Sequence, residues 1–221
     1  MQNAPIPVYL EVGKKRTFAC AVEWPGWCRS GRDEAAALSA LVAHAPRYAA
    51  ALGGVASFVV PRSADELRVV ERLTGGPTTD FGAPEMVGGT DERPMDVDEL
   101  ERQLAILDAA WSALDRAAEA AGDRPLRTGP RGGGRSVPKM IDHVRGAERA
   151  YLSRLGSRSP SGVDVGALRD LIRHVVRSVV AGEPIEHPSR TASTWPPRYF
   201  IRRAAWHVLD HAWEIEDRAG A

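Results

Sequence analysis

Residues 196–219 read PPRYFIRRAAWHVLDHAWEIEDRA and have the pattern of an amphipathic helix. His207 and His211 are four residues apart, a spacing that places two imidazoles one above the other on the same helix face. Both lie along one edge of the apolar stripe, so we expect them to point into a packed assembly. A buried imidazole pair needs a partner, and a divalent metal ion is the most economical one.

Three further amphipathic helices precede this stretch. The first begins near Asp96, which together with Glu99 predicts a capping box, and it ends at Gly122. The second is predicted over residues 136–155 and the third over residues 164–180. Because four amphipathic helices with intervening loops can bury their stripes against one another, the pattern predicts a four-helix bundle in residues 95–221.

The first 94 residues predict a small αβ module, so the fold class is α+β. Residues 8–13 and 16–22 are rich in β-branched and aromatic residues and predict a β-hairpin, which a short third strand follows. A helix is predicted from Asp33 to about Ala51, with Pro46 as a kink or a break.

The remainder of this module is less regular. Residues 57–61 predict a further strand, residues 67–73 a strand or a short helix, and residues 74–94 an irregular connection that is rich in glycine and proline. Domain boundaries are therefore expected at 1–94 for the αβ module with its connection and at 95–221 for the bundle.

Composition restricts the class of protein. The 221 residues carry 29 basic and 29 acidic side chains, a balance that argues against a nucleic-acid-coating protein. Since the chain has neither a basic, apolar leader nor a run of 18 apolar residues, we expect a cytoplasmic protein with no membrane contact. Cys20 and Cys28 are expected to be free thiols, and Trp24 and Trp27 to lie at an exposed turn suited to a partner or dimer surface.

A third histidine extends the pair in the last helix. His143 lies on the flank of the apolar stripe of the second bundle helix, the same kind of edge position that His207 and His211 occupy. Three imidazoles from two helices leave coordination positions open to water or substrate, which is typical of a catalytic metal site. Neutral imidazole suits zinc, nickel, iron or copper, so ligand type does not choose the metal.

Candidate helpers lie close to these histidines in sequence. Glu214, one turn beyond His211, is a candidate catalytic residue that could orient an imidazole or act as a base. Arg203, one turn before His207, is a candidate clamp for a substrate carboxylate. Asp142 and Asp210 favour surface positions, and Tyr151 favours a core position.

The run FACAVEWPGWCRSGRDEAAALSAL resembles HicB-type antitoxin N-terminal domains. The likeness covers residues 7–60 and depends on Pro25, Gly26 and Gly31 and on the acidic, alanine-rich helix start at residues 34–36. The resemblance implies a module for binding and oligomerisation, with a protein partner and a homodimer as expectations.

The stretches SVPKMIDHVRGAERAYLSRLG and WHVLDHAWEIEDR resemble two helices of the DinB-like (DinB/YfiT) superfamily of four-helix bundles. The likeness covers residues 95–219 and implies that His143, His207 and His211 bind a divalent metal ion, zinc or nickel above others. It also implies a small-molecule substrate and a low-molecular-weight thiol as co-substrate.

Two functional hypotheses remain open. The first is a metal-dependent enzyme, a thiol-dependent S-transferase or a hydrolase that acts on a small electrophile. The second is a non-catalytic, HicB-like binding protein of the antitoxin type, in which the metal site is structural or vestigial. A cavity beside the histidines would favour the enzyme.

Overall fold

The structure is a computed structural model that describes residues 4–128, 134–190 and 195–219. Its strands are β1 (Ile6–Val12), β2 (Thr17–Ala21), β3 (Cys28–Gly31) and β4 (Leu67–Thr74). Its helices are α1 (Glu34–Leu52), α2 (Pro77–Phe81), α3 (Val97–Ala121), α4 (Val137–Arg154), α5 (Val165–Ala181) and α6 (Pro197–Ala219). The α+β class is confirmed, since a four-stranded sheet near the N terminus is followed by four long helices, α3 to α6.

The sheet has the strand order β3-β2-β1-β4. β1 pairs antiparallel with β2, and β2 with β3, so the predicted hairpin and third strand are confirmed. Residues 67–74 form a strand rather than a helix and pair parallel with β1. Val8 lies opposite Val69 and Tyr9 opposite Glu71, which leaves Val70 as the extra residue of a β-bulge.

The strand predicted over residues 57–61 is wrong. Residues 57–61 have no regular secondary structure, because the sheet edge beside β1 is occupied by β4. Phe58 is instead held through its side chain, with its ring 4.9 Å from Trp27 and 5.1 Å from Tyr48 between centroids. Phe58 therefore packs from a loop, while Val59 and Val60 of the same segment are exposed.

Helix α1 begins next to Asp33, where the sequence predicts its start. The Asp33 carboxylate accepts a hydrogen bond of 2.8 Å from the backbone N–H of Ala36. A break at Pro46 is wrong, since the helix continues through it to Leu52. The irregular connection over residues 74–94 contains one element that the sequence did not predict, the five-residue helix α2.

The two faces of the sheet are covered by different helices. Alternate strand residues such as Val8 and Leu10 join the apolar cluster that includes Leu41 of α1. The opposite face forms a second cluster with Trp206 of α6, whose ring meets that of Phe18 edge-on at 6.3 Å. The sheet is therefore packed between α1 and α6.

Helix α6 lies at the centre of the molecule. It packs along α3 and also contacts α4 and α5, so 16 of its 23 residues are buried, far more than one amphipathic stripe would bury. At the Pro25-Gly26 turn a Cβ on Gly26 would lie 2.7 Å from Leu209 Cδ1, and Gly26 has a φ of 89°. Only glycine allows this turn to approach the helix so closely.

Two expectations for the same turn are wrong. Trp27 is 1% exposed and its indole N–H donates to the carbonyl of Leu41, so it is not a surface residue. Cys20 and Cys28 are directly opposite in the β2–β3 register and form a disulfide bond, so they are not free thiols. Local composition did not show that α1 and α6 would cover this turn.

One continuous apolar cluster runs from the sheet through α1 to α6. The boundary near residue 94 stays a prediction, and side chains on both sides of it share this cluster. Among the described residues no helix is long and apolar enough to cross a membrane.

A buried ion pair joins α6 to the 74–94 connection. The Arg202 guanidinium donates through Nε to Asp91 at 3.0 Å, and it also donates to the Tyr9 hydroxyl and, at 3.2 Å, to the Met86 carbonyl. Both members of the pair are buried, so each charge depends on the other for its solvation.

We predict that Asp91→Asn lowers the free energy of unfolding by about 3 kcal/mol, because it leaves the buried Arg202 charge without a counter-ion. Urea unfolding measures this change. The control is Glu66→Gln, which breaks the exposed Arg62–Glu66 pair of 3.3 Å and should cost less than about 1 kcal/mol. Equal losses in the two variants would contradict the prediction.

A second buried carboxyl joins α3 to α4. Glu148 is 2% exposed and accepts a hydrogen bond from the Trp111 indole N–H. Burial raises the pKa of Glu148 to about 6 from its usual 4.5. Because the folded-state pKa is the higher one, Glu148 favours the folded state below about pH 4.5, and this advantage is lost as the pH rises through about 6.

Glu148→Gln, which keeps an oxygen acceptor for Trp111, should therefore become more stable relative to the wild type as the pH rises. The expected gain between about pH 4.5 and pH 7.5 is about 2 kcal/mol, the free energy equivalent of the raised pKa. Urea unfolding at the two pH values measures it. Glu119→Gln on the exposed side of α3 is the control, and a similar gain there would contradict the role of burial.

Candidate metal centre

Packing of α4 on α6 brings three histidines together. His143 comes from α4, and His207 and His211 come from successive turns of α6. One side-chain nitrogen of each lies within 4.8 Å of the others, and the ring centroids are 4.7 to 5.1 Å apart. The helical spacing sets the pair on α6, and the α4–α6 contact supplies the third imidazole.

One pair of ring nitrogens has the spacing of two ligands of a single metal ion. The Nε2 atoms of His143 and His207 are 3.3 Å apart. Two imidazole ligands at about 2.0–2.1 Å from a tetrahedral ion have their nitrogens about 3.3 Å apart. Three imidazoles are also the donor set of a zinc centre with one open position. The residues present therefore fit a divalent ion such as zinc or nickel.

Glu214 fixes the orientation of His211. Its Oε2 is 2.9 Å from His211 Nδ1, and its Oε1 accepts from the Arg218 guanidinium at 2.8 Å. A carboxylate can only accept, so His211 carries its proton on Nδ1 and leaves the Nε2 lone pair for a ligand bond. A carboxylate that holds the far nitrogen of a histidine is the usual support of a metal ligand.

Burial favours the neutral form of His207 and His143. His207 and His211 are each 8% exposed, and His143 is half-buried. Burial lowers the pKa of His207 well below its ordinary value, and electrostatic repulsion from His211 and then from Arg203 lowers it further. Burial followed by the charge of His211 lowers the pKa of His143. Neutral imidazole is the form that binds metal.

One ring nitrogen of His207 has no hydrogen-bond partner. Its Nδ1 is buried and has no hydrogen-bond partner among the described residues. An unpaired buried ring nitrogen costs free energy, so a merely structural histidine would be expected to have a partner on both nitrogens. A metal ion bound through Nε2 would leave this Nδ1 unpaired, so the metal-binding interpretation depends on the Nε2 side of the ring.

Arg203 lies beside the histidines rather than on them. Its guanidinium carbon is 4.7 Å from the Trp206 ring centroid and 5.6 Å from the Tyr151 ring centroid. The Tyr151 ring is in turn 5.8 Å from that of His207. Tyr151, expected in the core, is only partly buried, and its ring contacts both Arg203 and His207.

The two adjacent aspartates point away from the centre, as expected. Asp142 is exposed and 3.9 Å from Arg145. Asp210 pairs with Arg29 of β3 at 3.5 Å, so it ties α6 to the sheet instead of facing solvent alone. Its pairing with a strand residue 181 positions away could not be predicted from helix periodicity.

The other histidines lie elsewhere. His174 is exposed on α5 and His187 is exposed in the loop that precedes α6. His44 packs its ring 4.2 Å from Trp213 and contacts Arg29. Within the described ranges, only His143, His207 and His211 form a group of three or more His, Cys, Asp or Glu residues with metal-ligand spacing.

Arg218 is a supporting residue that the sequence analysis missed. Besides Glu214, its guanidinium donates to the carbonyl of Arg127 at 2.7 Å, and a Cβ on Gly134 would collide with it. The α3–α4 connection therefore packs against the group that holds Glu214. The spacing of Glu214 and Arg218, four residues on one helix, was the signal that could have identified it.

Comparisons of the chain with protein-family models, with curated proteins and with solved structures find no match. The likenesses to HicB-type and DinB-like proteins therefore stay predictions. The metal-binding interpretation depends on the geometry of the three histidines and their support.

We predict that Glu214→Gln weakens zinc binding about 10-fold, because the neutral amide still accepts from His211 but no longer raises its basicity. Competition with a chromophoric chelator measures the affinity. Glu216→Gln is the control, since Glu216 is exposed on the same helix and pairs with Arg47 instead. Equal zinc affinity in the wild type and both variants would contradict a supporting role for Glu214.

Proposed function

We propose that this protein is a metal-dependent enzyme whose centre is formed by His143, His207 and His211. The observation that carries the proposal is the convergence of three imidazole nitrogens within 4.8 Å, with the far nitrogen of His211 held by a carboxylate. Two of the rings are buried and one is half-buried, so the cluster has one side near solvent. Such a centre keeps a position for water or substrate.

The proposed chemistry follows from this ligand set. A divalent ion bound by three imidazoles acts as a Lewis acid and lowers the pKa of a bound water or thiol, which supplies a nucleophile near neutral pH. Glu214 would keep His211 in the ligand tautomer, and the hydrogen bond from Arg218 holds Glu214 in place. The walls formed by Tyr151 and Trp206 reduce access of bulk water to His207.

The DinB-like resemblance supports a more specific proposal. It favours a thiol-dependent S-transferase or hydrolase that uses a low-molecular-weight thiol and a small electrophile, in a four-helix bundle built from α3 to α6. The αβ module would then be an integral support of the enzyme, because the sheet packs against the α6 face that carries Trp206.

The first test is the metal content of the purified protein by elemental mass spectrometry. We expect about one zinc or nickel ion per chain in the wild type and a loss of this ion in His207→Ala and in His143→Ala. The half-buried His143 gives a variant that is less prone to unfold, and circular dichroism checks both folds.

The control is His174→Ala on the exposed side of α5, which should keep its metal. A wild-type protein that contains no metal and takes up neither zinc nor nickel on titration would overturn the proposal. Loss of metal in His174→Ala as well would show that the ion is bound elsewhere.

A further inference from the structure

Arg203 differs from the other arginines of α6 that lie against the protein interior. Arg198, Arg202 and Arg218 each bind a carboxylate, from Glu99, Asp91 and Glu214 respectively. Arg203 has no carboxylate partner in the described part of the chain, and its Nη1 atom is buried without a hydrogen-bond partner there. The residues outside the described ranges include no aspartate or glutamate.

The surroundings of Arg203 hold its guanidinium without neutralising it. The rings of Trp206 and Tyr151 lie 4.7 Å and 5.6 Å from the guanidinium carbon, within the range of cation–π contacts. The guanidinium also hydrogen-bonds the Tyr151 hydroxyl, but its Nη1 N–H groups are left without an acceptor among the described residues. A partly buried guanidinium without a carboxylate partner favours binding of an anion.

The charges around the histidines point the same way. Arg203 and the exposed Arg135 are both close enough to His207 to act on it electrostatically, whereas the negative charge of Glu214 is shared with Arg218. With a divalent ion bound, as the proposed function requires, the centre carries a surplus of positive charge, which favours an anion at the open position.

We propose that Arg203 binds the acidic group of the small molecule that this metal centre takes, so the ligand is a small organic oxyanion. The inference rests on the proposed function. Arg203 and His207 are one helical turn apart, with Cβ atoms about 5–6 Å apart, so a short molecule reaches both the guanidinium and the ion. The planar fork of arginine matches a carboxylate or a phosphate group.

The test is binding of oxyanion probes to the zinc-loaded protein by isothermal titration calorimetry. The probes are succinate, its neutral analogue succinamide, and inorganic phosphate. The variants are Arg203→Met, which keeps an apolar side chain against Tyr151 and Trp206, and Arg203→Lys, which keeps the charge without the fork. Arg62→Met removes one positive charge from an exposed site and is the control.

We expect an oxyanion probe to bind the wild type, and Arg203→Met to weaken it about 10-fold to 100-fold, the usual loss of a charge-assisted pair. Arg203→Lys should bind with intermediate affinity, Arg62→Met like the wild type, and succinamide not at all. If only the affinity for succinate depends on Arg203, the ligand class is a carboxylate. If only the affinity for phosphate depends on Arg203, the ligand class is a phosphate ester.

Zinc affinity, measured first by chelator competition, separates this inference from the proposed function. A wild type without zinc binding overturns the proposed function and the inference with it. Two outcomes overturn only the role of Arg203, provided that zinc binding is unchanged in Arg203→Met. In the first, the probes bind the wild type and Arg203→Met with equal affinity. In the second, no probe binds at all.

Discussion

Helix α6 lies between the sheet on one side and α3, α4 and α5 on the other, so its buried polar side chains must find partners inside the protein. Arg198, Arg202 and Arg218 do so with carboxylates. Two buried atoms, Nδ1 of His207 and Nη1 of Arg203, have no hydrogen-bond partner among the described residues. Nε of Arg198 is also unpaired, but its guanidinium binds Glu99, so Arg203 is the one arginine of this helix without a carboxylate among the described residues.

The sheet contributes to this site although it supplies none of the three histidines. Phe18 and Trp206 meet edge-on, Arg29 pairs with Asp210, and the Pro25-Gly26 turn approaches α6 too closely for a side chain at residue 26. These contacts hold the α6 face opposite α4. The orientation of His207 and His211 toward His143 therefore depends on packing from both sides of the helix.

Features that depend on local spacing were predictable. The strands of the hairpin, the Asp33 and Asp96 caps and the four long helices follow from periodicity and capping residues close in sequence. The capping-box half of the Asp96 prediction fails, because the Glu99 carboxylate binds Arg198 from α6 instead of its own helix end. Residues 57–61 have the composition of a strand, but β1 offers them no free sheet edge. Trp27 belongs to a turn with the composition of a surface turn, but it lies under α1.

The sequence by itself determined which side chains share a helix face, since a four-residue spacing places His207 above His211 whatever the surroundings. The tertiary structure alone decided which groups meet across the chain. His143 reaches the pair from another helix, Asp91 neutralises Arg202 from a loop, and Arg203 is left without a carboxylate. These outcomes depend on the distances and the dielectric environment that packing creates, and neither quantity is encoded in the spacing of residues along one helix.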